Sequence, residues 1–293
     1  EIMPSLVGSE MCIRDSLWTT RVFARRFAAS SRVKNPAIPS VPVSRTKRSF
    51  AVTKISADGT RDTRAGQVAV EEPLEIRAGG VSAATLMRTP GHDIELAHGL
   101  LLARGMITRV EDVVTARYCE GAIGGENTYN LLDIQLARPS APQFIDPIPG
   151  DACGISAEQR VRELAANLDV RDTFMELEPS EIFALPGVLS QHRTRDLPTA
   201  VAGGTGRQDL DPLNAVHKIA GHMLLDASAS PALTLATDAQ VGFEIVRAAA
   251  AAGFGAVATT AGVTSMAVEL ARATNTVLVG EVSAERFSVY AGA

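Results

Sequence analysis

The residues of this chain best able to do chemistry are one cysteine in a glycine-flanked loop and one short loop that ends in arginine. Cys153 lies in Asp151-Ala152-Cys153-Gly154-Ile155-Ser156. Ser156 and Gln159 have the spacing of a capping box, which places the thiol just ahead of a helix N-terminus. The positive end of a helix lowers a thiol's pKa, and the thiolate is the nucleophilic form. Gly154 lets a partner approach closely. The same residue also reads as a half-buried structural thiol, because cysteine is among the most buried residue types. The second candidate is Glu281-Val282-Ser283-Ala284-Glu285-Arg286, which follows a strand at the carboxyl edge of a sheet. Ligands of open α/β sheets bind at that edge, and Arg286 suits bidentate pairing with a phosphate. An exposed hairpin connection is the competing reading.

Other chemistries are poorly supported. Cys119, beside Tyr118 in a strand-like stretch, reads as structural. His92, His98, His192, His217 and His222 are dispersed, and no CxxC or HExxH spacing occurs. His217 and His222 are five apart, off a common helical face, and His92 reads as a turn residue. Gly203-Gly204-Thr205-Gly206 reads as a loop rather than a phosphate cradle.

The elements that must position these residues begin near Val68. Leu74 and Ile76 alternate with polar neighbours as in a half-buried strand, Gly79-Gly80 makes a turn, and Val81 to Met87 returns. Asp93 opens a helix carrying Leu96, Ala97, Leu100 and Leu101 on one face, with Gly105 as its stop. Thr108 to Ala137 reads mostly as strands. A proline-rich linker, Pro139 to Pro149, precedes the Cys153 loop and a helix with Val161, Leu164, Ala165 and Leu168 at helical spacing. Thr194 to Pro212 has no clear period. From Asn214 onward helices and strands alternate: a helix over 215–225, a strand over 232–236, a helix over 241–252, a strand over 255–259, a helix over 265–273, and strands over 276–280 and 287–290. That alternation predicts βαβ units and a mainly parallel sheet. No internal repeat is evident.

The chain has 293 residues and a formal net charge of −5. Residues 1–65 carry a net +7 and the remainder a net −12. An acidic body argues against a nucleic-acid surface, no apolar run is long enough for a membrane span, and three scattered cysteines predict a reducing, cytoplasmic setting. Residues 1–16 resemble a translated sequencing adaptor. Residues 17–66 are predicted as a disordered basic extension, their acid-poor start also resembling an organellar leader. Residues 67–138 then form an α+β N-terminal domain, 139–150 a linker, and 151–293 an α/β C-terminal domain.

Several segments, in order, resemble the FdhD family of formate dehydrogenase accessory sulfurtransferases. They are Glu71 to Arg77 (EEPLEIR), Met87 to Leu102 (MRTPGHD followed by ELAHGLL), the Cys153-Gly154 loop, Asn214 to Lys218, Gly242 to Val246, Thr264 to Ala271, and Leu278 to Tyr290. The likeness runs from about Val43 to the end. It implies a cytidine-deaminase-like α-β-α C-terminal domain without the deaminase zinc ligands. It implies a sulfurtransferase that takes sulfur from a cysteine desulfurase as a persulfide and passes it to the molybdenum bis-molybdopterin guanine dinucleotide cofactor of formate dehydrogenase. By position Cys153 would carry the persulfide, Glu281 to Arg286 would bind the cofactor, and the protein would be a homodimer. The chain departs from the family pattern at Ser156, which stands where CGxCG has its second cysteine. It departs again at Thr194 to Ala200, which lacks a histidine, at Asp238-Ala239-Gln240 in place of SGR, and within Arg207 to Lys218. These departures leave two alternatives, a non-catalytic binder of the cofactor or its client, and an inactive family member.

Overall fold

The computed structural model describes residues 46–119, 122, 123, 126, 127, 129–138, 161, 165, 168, 170–194, 197–226 and 234–292. Two antiparallel strands, β1 (Lys47–Ile55) and β2 (Arg61–Ala69), form a hairpin of their own. Composition had predicted disorder through residue 66. The hairpin corrects that for residues 47–66, where β-branched residues (Val52, Thr53, Ile55) support pairing that net charge conceals.

The next layer is a four-stranded sheet in the order β4-β3-β8-β5. Its strands are β3 (Glu72–Ala78), β4 (Val81–Arg88), β5 (Val113–Tyr118) and β8 (Leu131–Leu136), with the two-residue β6 (Ala122–Ile123) and β7 (Glu126–Asn127) pairing separately. One face of β3 and β8 carries Leu74, Ile76, Leu132 and Ile134, all buried. They pack on α1 (Asp93–Ala103), which begins one residue after the left-handed His92 and stops before Gly105, also left-handed.

The C-terminal sheet has six strands in the order β10-β9-β11-β12-β13-β14. These are β9 (Thr199–Ala202), β10 (Thr205–Gln208), β11 (Thr234–Thr237), β12 (Ala256–Thr259), β13 (Val277–Gly280) and β14 (Ser288–Ala291). Only β11-β12 and β12-β13 are parallel; the other three pairings are antiparallel. The sheet is therefore mixed, not mainly parallel. The reason is the β9–β10 hairpin, turned by Gly203 and Gly204 at positive φ in a stretch that shows no period.

Alternate residues of these strands face opposite layers. Ala200, Leu235, Val257 and Leu278 pack on α3 (Pro212–Leu225), α4 (Phe243–Ala251) and α5 (Ser265–Ala273). Val201, Ala236, Ala258 and Val279 pack on α2 (Pro179–His192) through Ile182 and Leu189. The C-terminal unit is thus three layers, α-β-α. Helix α2 was not expected, because Pro186 and Gly187 interrupt its pattern. The units 234–246 and 256–268 repeat at an offset of 22 residues: Leu235, Ala236 and Thr237 pair with Val257, Ala258 and Thr259, and Val241 bridges Val263. This β-loop-α repeat is too short and too alanine-rich to stand out in the sequence.

Helices α1 and α3 cross closely enough to join the two sheets into one core. A Cβ at Gly99 would collide with the His217 carbonyl, and one at Gly221 with the Glu95 carbonyl. Gly99→Ala should therefore force the helices apart, costing about 1–3 kcal/mol and lowering Tm by about 3–10 °C. Gly187→Ala on α2 meets nothing within 4 Å and should leave Tm unchanged or raised. Paired thermal melts by circular dichroism measure both, and an unshifted Gly99→Ala melt would contradict the close crossing.

Candidate functional site

The turn between β4 and α1, Arg88 to Asp93, is fixed from below by a buried ion pair. Arg88 donates from Nε to Asp93 Oδ2 at 3.0 Å, from one terminal nitrogen to Glu72 at 3.0 Å, and from the other to the Tyr129 carbonyl at 3.2 Å. Tyr118 donates to the same Asp93 oxygen at 2.9 Å, and the Gly91 amide donates to Asp93 Oδ1 at 3.2 Å. Arg88 and Asp93 are buried, so the turn takes one shape or leaves a charge unpaired.

The turn is held from its other side by α3 and the residues after β10. Lys218 Nζ lies 2.6 Å from Asp209 Oδ2, their side chains 1% and 0% exposed. Lys218 also donates to the carbonyls of Thr89 and Gln208, at 3.0 and 3.3 Å. Asp209 Oδ1 accepts from the Thr89 amide at 3.3 Å and from Asn214 at 3.2 Å, while Asn214 donates to the Met87 carbonyl at 2.8 Å. A third cluster sits beside these. Arg207 grips Glu95 with two bonds of 2.6 and 2.7 Å, and His92 and His222 approach the same carboxylate at 3.2 and 3.3 Å. Burial pushes Glu95 up, but the Arg207 bonds, His92 and the positive charge of both outweigh it and hold the carboxyl at about 2, below its ordinary 4.5. One helical turn back, His217 is buried; that burial, with Arg247 and Arg104 nearby, lowers it to about 3 and keeps it neutral.

Over these clusters opens a cavity of about 240 Å³. Its lining includes Lys47 from the hairpin, Thr89 and His92 from the turn, His192 from the end of α2, and Arg207 and Lys218. No group of described residues has the makings of a metal site.

The cavity and the Glu281–Arg286 loop share the carboxyl edge of the six-stranded sheet. A chain of bonds runs along that edge from strand to strand. Thr199 N donates to Asp238 Oδ1, Thr237 Oγ1 to the Thr199 carbonyl, Thr259 Oγ1 to the Ala239 carbonyl, Glu281 N to the Ala261 carbonyl, and Val282 N to the Thr259 carbonyl. Glu281 enters its loop at a positive φ of 56°, which is costly without glycine. Ser288 donates to its carboxylate at 2.9 Å. Ser283 closes the loop by accepting from the amides of Glu285 and Arg286 and donating to the Arg286 carbonyl. Val282 is buried, Ser283 half-buried, and Ala284, Glu285 and Arg286 are exposed. The Arg286 side chain has no ion pair among the described residues.

Cys153 lies outside the described residues, as do Ser156 and the Pro139–Pro149 linker. Cys119 follows β5, half-buried, its amide bonded to the Leu131 carbonyl, which suits a structural residue. His92 is a turn residue, and additionally a partner of Glu95. No helix among the described residues is long and apolar enough to cross a membrane.

These residues are segments of one family pattern, and comparison with known proteins agrees. A model described as the FdhD/NarQ family matches residues 69–293. The chain belongs to the FdhD/NarQ family. It is 35% identical over 252 residues to the sulfur carrier protein FdhD of Corynebacterium efficiens, covering 79% of this chain and 91% of that protein. It is 33% identical over 263 residues to the protein of the same name from Mycobacterium tuberculosis, covering 82% and 94%. A crystal structure of a formate dehydrogenase accessory protein from Desulfotalea psychrophila shares the fold, with a TM-score of 0.64 at 19% identity, covering 84% of this chain and 97% of that one.

Within Arg207 to Lys218, Arg207, Asp209, Asn214 and Lys218 supply side chains to the contacts described above. Sequence reasoning named these segments without giving them a role. No local signal marks Arg88 or Lys218, because their burial depends on partners far away in the chain.

The Glu95 cluster has a pH signature. Because the folded-state pKa is depressed, its contribution is full above about pH 4.5 and is lost as pH falls toward 2, on the order of 3 kcal/mol in all. Glu95→Gln should be less stable than the parent near neutral pH, with the gap closing across that window. Urea unfolding at several pH values measures it, and a pH-independent gap would contradict the depressed carboxyl.

Proposed function

We propose that this protein is a sulfur carrier that accepts persulfide sulfur from a cysteine desulfurase on Cys153. It hands that sulfur to the molybdenum bis-molybdopterin guanine dinucleotide cofactor, bound as substrate, for formate dehydrogenase. The observation that carries this reading is the likeness over most of the chain to proteins named sulfur carrier protein FdhD. In the first step the Cys153 thiolate attacks the outer sulfur of the desulfurase persulfide. A new S–S bond forms, the desulfurase S–S bond breaks, and the desulfurase cysteine leaves as thiolate. A single cysteine suffices for that step, so Ser156 does not prevent it.

We assign Glu281, Val282, Ser283, Ala284, Glu285 and Arg286 to cofactor binding. The support is a self-closed loop at the carboxyl edge of the sheet, with an exposed guanidinium suited to a phosphate. The three-layer α-β-α unit, with a mixed sheet and parallel centre, supports the cytidine-deaminase-like reading. A cytoplasmic homodimer serving formate dehydrogenase completes the proposal.

Incubation with a desulfurase and cysteine, followed by intact mass spectrometry, tests it. The expected result is a one-sulfur gain that maps to Cys153 and disappears in Cys153→Ala. A folded, reduced chain that gains no sulfur would be a family fold without the chemistry, and transfer surviving in Cys153→Ala would overturn the assignment of Cys153. For the loop, Arg286→Ala should weaken GDP binding in calorimetry by about tenfold, the worth of one charge-assisted hydrogen bond. Equal affinities would remove the loop from the site.

A further inference from the structure

We infer that the β1–β2 hairpin is a docking arm for a second copy of this chain, and that it seats on the apolar strip between α2 and β14. The inference rests on the homodimer reading and assigns the surfaces that make the dimer. The register of the hairpin sorts its side chains, because directly opposed residues share a face. Arg48, Phe50, Val52 and Lys54 of β1 therefore lie with Val68, Gly66, Arg64 and Asp62 of β2. That face has an apolar middle of Phe50, Val52 and Val68, with Arg48, Lys54 and Arg64 around it. The other face carries mainly small and polar residues, among them Ser49, Ala51, Thr53 and Gln67. Phe50 is 47% exposed and Val68 43% exposed. The Arg48 guanidinium lies 5.5 Å from the Phe50 ring centroid, and a Cβ at Gly66 would collide with Val52. The apolar side chains thus gather on one side of the ribbon without any partner from their own chain among the described residues.

A lone two-stranded hairpin is marginally stable in water, and this one contributes no residue to the buried apolar clusters of the described residues. Its nine-residue strands make an arm about 30 Å long. Charge selects the occupant. Lys47, Arg48, Lys54, Arg61 and Arg64 against Asp58 and Asp62 give the hairpin a net +3. The complement lies along β14 on the α2 side of the sheet. Phe183, 38% exposed, sits 5.0 Å ring to ring from Phe287, just before β14 begins. Phe174, 36% exposed, packs at Gly292, just after β14 ends. Beside them Asp172, Glu176, Glu178 and Glu181 are all exposed. The one base of residues 171–185, Arg171, bonds to the Gly253 carbonyl, and the stretch has a net charge of −3. An apolar middle flanked by bases therefore meets an apolar middle flanked by acids, which is the anatomy of a specific interface. Both surfaces belong to every chain, so two copies related by a two-fold axis exchange arms, each seated on the strip of the other.

Sedimentation velocity of the full chain over a range of concentrations tests this, with circular dichroism to confirm that each variant is folded. The expected result is a dimer that weakens as salt is raised, since exposed charges are screened. Phe50→Ser should raise the dimer Kd about thirtyfold, as loss of an aromatic anchor does. Arg48→Glu with Arg64→Glu should weaken the dimer, and so should Glu178→Lys with Glu181→Lys. Mixing those two charge-reversed chains should restore association, because in the mixed dimer both arms again face a strip of opposite charge. A chain that stays monomeric at every concentration would sink the inference and the homodimer reading together. A dimer indifferent to the hairpin and α2 variants would overturn the inference and leave the homodimer reading standing. A dimer weakened by the hairpin variants alone, with no restoration on mixing, would overturn the choice of the α2 strip.

Discussion

A lysine stripped of water organises this molecule. Lys218 sits in the buried part of α3, and its ammonium is tolerable there only because Asp209 and two carbonyls replace the lost hydration. Those partners come from different places: the residues that follow β10, the β4–α1 turn and the end of β10. Removing Asp209 would leave a buried charge uncompensated, at a cost of about 3–5 kcal/mol. The pair therefore acts less as a source of stability than as a constraint on which segments lie together. Asn214, one turn earlier on α3, reaches both Asp209 and the Met87 carbonyl and adds to the same constraint.

The Arg88–Asp93 pair plays the corresponding part on the N-terminal side. Between the two pairs the backbone of Thr89 to His92 is pinned at both ends, and the turn borders the cavity. The close crossing of α1 and α3 at Gly99 and Gly221 brings the two pairs within reach of each other. Small residues at the crossing and buried charges beside it are two halves of one design. Close helix axes bring the polar clusters together, and the clusters set the axes in register.

The cavity and the Glu281–Arg286 loop meet one edge of the six-stranded sheet for a topological reason. The parallel strands β11, β12 and β13 all end there, and each crossover must leave the sheet at that edge. Thr237 and Thr259, equivalent positions of the 22-residue repeat, each fold a hydroxyl back onto the amide two residues on. The third strand has Glu281 at the same edge, in a strained conformation, and its loop runs on to Arg286. Where β11 and β12 are followed by helices, β13 is followed by the Glu281–Arg286 loop and β14.

Much of this was legible in the residues alone. Leu74 and Ile76 declare a strand because they alternate with polar neighbours, and the segments after Asn214 declare theirs as short apolar runs set between helical stretches. Cys153 and the Glu281–Arg286 loop were nameable from local context and from the resemblance. Strand β9 was not, since its four residues, Thr199 to Ala202, lie in a Gly-, Pro-, Thr- and Asp-rich stretch with no clear period. Helix α2 was not, since Pro186 and Gly187 break its pattern while the sheet beneath retains it through Ile182 and Leu189. Above all, a sequence cannot show which charges are buried. Arg88, Lys218 and Glu95 look like ordinary surface residues until partners 16 to 129 positions away close around them. The sequence determined the elements and the family, because local periodicity and motif order are written along the chain. Only the tertiary structure decided the pairing of charges and the cavity they leave, because desolvation depends on distant segments meeting.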